Sequence, residues 1–156
     1  MPAQIPKRRR LKTNFEIGAQ KSRIIMKFIP RVNGLNKRIE MFNADIKKMW
    51  REQKFDLAVI NETINNIKSG IPVNHAEKAS SLKTIGVMKK RIAFAEKPLN
   101  NFDREFNSLF LRTRKAGLEE SKIIKLTIGL LLAKLKEDIA DEKRVIEAAE
   151  KFLRTH

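Results

Sequence analysis

The residues of this chain best equipped for chemistry are its cations, and they are clustered. Residues 1–31 hold nine Lys or Arg against the single acid Glu16, and residues 82–97 hold five against the single acid Glu96. These two segments supply most of a formal net charge of +16 in a chain of 156 residues. A surface that faces a polyanion needs its excess charge in one place, whereas a merely soluble protein spreads it. Residues 138–156 are close to neutral, with five acids and four basic residues.

Other chemistry is hard to assemble from this inventory. The chain has no Cys, no Tyr and two His. That excludes a thiolate nucleophile, a disulfide framework and a zinc site with Cys ligands, and there is no Gly-rich phosphate loop. His75 stands without a second His or clustered carboxylates, so it reads as a solvated loop residue rather than a ligand or base. Asp138, Asp141 and Glu142 share a helical face, but Lys143 and Arg144 beside them make that face a solvated surface. The expectation is a protein that is not an enzyme and uses no cofactor or metal.

The elements that must position the cations are read in order. Residues 1–20 form a basic arm with the run Lys7, Arg8, Arg9, Arg10 and no apolar core of a signal peptide, which suggests a cytoplasmic protein. Residues 22–30, SRIIMKFIP, are β-branched and aromatic and end on Pro30, which predicts a strand. Leu35, Ile39, Phe42, Ile46 and Met49 mark a helix, REQKF interrupts it, and Leu57, Ile60, Ile64 and Ile67 mark a second that stops at Gly70. Residues 71–88 are a connector. The pattern then repeats: a strand over Lys90–Phe94, a turn at Pro98, a helix through Phe102, Phe106 and Leu109, and a stop at Gly117.

The stretch 117–136 is apolar on every side of a helix, through Ile123, Ile124, Leu126, Ile128, Leu130, Leu131, Leu132 and Leu135, so it demands enclosure. It is too short to span a bilayer, which leaves protein as the enclosure. Residues 138–156 form a further helix.

Units of 21–70 and 89–137, each a short strand and two helices, are too small to bury their own apolar surface, so they must pair. Here the sequence resembles the ribbon-helix-helix family of DNA-binding proteins, best over residues 91–135 and more weakly over 22–69. The resemblance implies a mainly α fold with a short two-stranded antiparallel ribbon, as an intrachain pseudo-dimer or a homodimer, plus the C-terminal helix. It looks like a variant with two such units in one chain, found in an accessory protein of conjugation-like DNA transfer; repressors and plasmid partition adaptors share the family.

The resemblance implies that the ribbon enters the major groove of double-stranded DNA. Arg23, Ile25, Lys27, Lys89, Arg91 and Ala93 would face base edges, with Arg on guanine and Ile25 or Ala93 on thymine methyls. Lys7, Arg8, Arg9, Arg10, Lys54 and Lys122 would meet phosphates. Two other classes stay open: an all-helical basic protein that coats RNA or single-stranded DNA, which needs exposed aromatics for stacking, and a helical interaction scaffold or effector.

Overall fold

The computed structural model describes residues 13–117 and 119–156, and all but short connections of them are helical. Helix α1 spans Asn14–Lys68, α2 His75–Lys115, α3 Glu120–Ile124 and α4 Leu130–Thr155, with one turn of π-helix, Lys125–Gly129, joining α3 to α4. Thr13 opens α1 with a capping box: its hydroxyl accepts from the Glu16 amide at 3.1 Å while the Glu16 carboxylate accepts from the Thr13 amide at 3.3 Å. Asn74 caps α2 by accepting from the Glu77 amide at 2.8 Å. Gly70 and Gly117, at φ 74° and 68°, close α1 and α2 in the left-handed conformation that stops a helix.

One spacing explains why three long helices form and pack. In α1 the inward side chains are Ile25, Phe28, Val32, Leu35, Ile39, Phe42, Ile46, Met49, Gln53, Asp56, Ile60, Thr63 and Ile67, alternating steps of three and four. In α2 they are Ser81, Ile85, Met88, Ile92, Ala95, Leu99, Phe102, Phe106, Leu109 and Thr113, with the same alternation. A mean step of 3.5 residues keeps an apolar seam on one side of a supercoiled helix indefinitely. Each fully buried Leu or Ile along it contributes about 1.5–3 kcal/mol, more than the surface ion pairs can.

Paired residues give the directions. Arg38 of α1 bonds Glu105 of α2, and Phe42 meets Phe102 edge to face at 5.5 Å, so α1 and α2 run antiparallel. Lys89–Glu150, Glu96–Lys143 and Asp103–Lys136 pair α2 with α4 at 3.1, 3.3 and 2.5 Å. Each step of seven up α2 is matched by seven down α4, which is the signature of an antiparallel pair in heptad register. Such exposed pairs are worth about 0–1 kcal/mol each, so they set register more than stability.

The third rod departs from the alternation once. Ile124, Ile128 and Leu132, all buried, follow one another by four and four, one residue more than the seam allows. The backbone absorbs the surplus as the π turn. A regular helix through this point would put Lys125 in the core in place of Ile124; Lys125 is instead exposed. Gly129 lets Phe106 close over the turn, since a Cβ there would lie 3.1 Å from the Phe106 ring.

Several expectations are corrected. Among the described residues there is no strand, so there is no ribbon and no ribbon-helix-helix fold. The strand expected at 22–30 is the interior of α1 and the one at 90–94 the interior of α2. Both prolines sit inside helices: Pro30 and Pro98 each remove one backbone hydrogen bond, but the seam continues on both sides and holds the helix together. REQKF is continuous helix, and the connector shrinks to the few residues before His75. Residues 14–20 of the expected arm belong to α1, whereas Lys7, Arg8, Arg9 and Arg10 lie outside the described residues. The stretch 117–136 is covered on one face alone, for Ile123 and Leu130 are each 61% exposed.

One core layer is polar. Gln53 is fully buried with neither amide atom bonded, and the Trp50 Nε1 beside it also lacks an acceptor. Leaving buried polar atoms unpaired costs about 1–3 kcal/mol. Gln53→Leu is therefore expected to stabilise the bundle by about that amount, measured by urea unfolding. The π turn yields a second test. Deleting Thr127 restores the alternation and should leave a cooperative thermal melt, whereas deleting Glu137 rotates every later core residue by about 100° and should abolish it.

Candidate nucleic-acid interface

Seven-residue periodicity sorts the charges of α2 by direction. Its acids after the first turn, Glu96, Asp103 and Glu105, are each bonded to a cation of another helix. On the outer face Lys83, Lys90, Lys97 and Arg104 follow one another every seven residues, and all four are exposed. None of them is in an ion pair among the described residues. Along a helix seven residues rise about 10.5 Å, so the four make a line of roughly 30 Å. The exposed or half-buried positions flanking that line, Gly86, Val87, Ala93, Phe94, Asn100, Asn101, Asn107 and Ser108, carry no charge. α2 therefore presents these cations outward, while Glu96, Asp103 and Glu105 are held by cations of the neighbouring helices.

Aromatic side chains accompany these cations. Phe94 is 80% exposed, with Lys90, Arg91 and Lys97 within one helical turn of it. On α1, Phe55 is 75% exposed, next to Lys54 and one turn after Arg51. A large apolar side chain in water costs free energy, and a ring flanked by cations matches the arrangement on which bases stack while phosphates are neutralised.

The residues expected to read DNA are not brought together. Arg23 and Lys27 are exposed on one face of α1, one turn apart, while Ile25 turns inward to a groove with Phe28 and Ile123. A helix rotates alternate residues by about 200°, so a trio spaced for one strand face is divided. Lys89 is held by Glu150, Arg91 is exposed beside Met49, and Ala93 is exposed. Met49 lies 26 residues beyond Arg23 in the same helix, so Arg23 and Arg91 are about 40 Å apart along the bundle. Lys54 is exposed on the groove that holds Trp50 and Glu142, and Lys122 is exposed on α3. The four outward cations of α2 were missed as a set; their constant spacing of seven is the signal that reveals them.

No group of three or more His, Asp or Glu among the described residues is placed to hold a metal. His75 is the exposed first residue of α2, and His156 stacks on Phe152 at 4.3 Å. No described helix is long and apolar enough to cross a membrane. No family model, curated protein or solved structure matches the chain.

Glu142 occupies an inward position of α4 and shares a groove with Trp50, Arg51 and Lys54. Burial raises its carboxyl above the ordinary value of 4.5. The folded chain thus binds the proton more tightly than the unfolded one, so ionising Glu142 weakens the fold as pH rises past 4.5, fully so above the raised value. Glu142→Gln is expected to raise the thermal midpoint at pH 7, with the gain fading as pH falls below 4.5.

Proposed function

We propose that this chain binds single-stranded RNA or DNA as a helical, basic bundle, laying the nucleic-acid backbone along the outer face of α2. The observation that carries the reading is the line Lys83, Lys90, Lys97 and Arg104, exposed and in no ion pair among the described residues. Phosphates along a strand are more closely spaced than these cations, so each can find one, and displaced counterions supply the driving force without base reading. Exposed Phe94 beside the line favours a strand whose bases are unstacked over a duplex whose bases are not. Entry of a β-ribbon into a major groove is no part of this mechanism. One chain encloses most of its own core, so the mechanism calls for no second copy.

The test is a salt series on a labelled single-stranded oligonucleotide. Single strands give a slope of about −0.7 in log K against log salt per neutralised phosphate, so four contacts predict about −2.8. Lys90→Gln with Lys97→Gln should reduce the magnitude by about 1.4 and leave the fold intact, because both side chains are exposed. An unchanged slope removes the α2 face from the interface. Absence of binding to any nucleic acid favours the interaction scaffold instead.

A further inference from the structure

Beside the cation line, α1 and α2 leave an open groove of about 650 Å³, inside the range of about 300–1,000 Å³ usual for small-ligand sites. Phe42 and Met49 of α1 and Phe94 and Pro98 of α2 line it, with Asp45 on one side and Arg91 on the other. We infer that this groove is a nucleobase subsite with a preference for guanine; the inference rests on the single-strand reading above and names what enters beside the backbone.

Three features select the ligand. The walls are apolar and include the exposed ring of Phe94, which suits a flat aromatic group. Cations flank it: Lys90 and Arg91 also border the groove, so the phosphates on either side of an inserted base can be neutralised. Asp45 repels a second anion, which turns away acidic peptides and phosphate from the groove itself. Its carboxylate is exposed, belongs to no ion pair among the described residues, and accepts hydrogen bonds only.

Guanine alone among the bases presents two adjacent donors, N1–H and the N2 amino group, to a carboxylate's two oxygens; adenine, cytosine and uracil offer one donor position each. Pro98 adds a second acceptor. It has no N–H to give to the Phe94 carbonyl one turn earlier, so that oxygen is released from its usual helical partner in the same wall.

The experiment compares fluorescence anisotropy of three oligothymidylates, identical but for a central guanine, a central adenine or a central abasic site. The abasic strand keeps every phosphate and every thymine, so differences among the three strands report what the central base adds. The guanine strand is expected to bind at least about five-fold tighter than the abasic one, the lower end of what base–aromatic stacking contributes, with adenine between them. Phe94→Ala should equalise all three strands. Asp45→Asn should bring guanine down to the level of adenine without changing adenine. Salt-dependent binding that is equal for all three strands in the unsubstituted protein overturns the subsite while leaving the backbone reading intact. Failure of even the abasic strand to bind overturns both.

Discussion

Everything in this molecule depends on apolar side chains that recur every three and then four residues along three helices. A helix of 55 residues has no intrinsic reason to stay straight and ordered; it does so because the seam from Ile25 to Ile67 never loses its partner. The same alternation aligns α2 and α4, so the three rods share one core from Leu35 at one end to Leu153 near the other. Where the chain supplies a residue too many, between Ile124 and Leu132, the π turn removes the error locally and the seam resumes. Polar side chains interrupt it in places, and Gln53, unlike Thr63 and Thr113 whose hydroxyls bond backbone carbonyls, leaves its amide unpaired at a cost.

Because the core repeats every seven residues, each surface stripe repeats every seven as well, and chemistry can be assigned stripe by stripe. The stripes of α2 and α4 that face each other carry opposite charges at matched positions and neutralise one another through Lys89–Glu150, Glu96–Lys143 and Asp103–Lys136. The stripe of α2 turned furthest from the core carries Lys83, Lys90, Lys97 and Arg104 with nothing to offset them. Part of the net charge of +16 is thus directional, and that part comes out on the helix whose surface also carries an exposed phenylalanine and an apolar groove.

Much of this organisation is legible in the residues, though not all of it through short windows. The apolar faces 35–49, 57–67 and 102–109, the stops at Gly70 and Gly117 and the basic segment 82–97 can all be read directly. SRIIMKFIP and KRIAF mislead because runs of nine and five residues that include β-branched and aromatic side chains satisfy a strand alternation as well as a helix. Pro30 and Pro98 then look like ends. Only a window of several heptads shows Phe28, Val32 and Leu35 continuing one seam across Pro30, and Ile92, Ala95 and Leu99 doing the same across Pro98. The π turn has a trace in the doubled step of four, but its closure over Gly129 depends on Phe106, which no local pattern connects to it. At the interface, Arg91 is singled out by its charge alone, whereas Lys97 and Arg104 gain meaning only from the period.

Contact with nucleic acid centres on the outer face of α2 and the groove beside it, and residue-resolved NMR can locate that contact without assuming any energetic model. With an unlabelled single-stranded oligonucleotide added to the isotope-labelled chain, amide shifts are expected at Lys83, Lys90, Phe94, Lys97 and Arg104. The outer residues of α4, Glu137, Arg144 and Lys151, should stay unmoved. Shifts confined to α4, or to the first twelve residues with α2 silent, would contradict this placement.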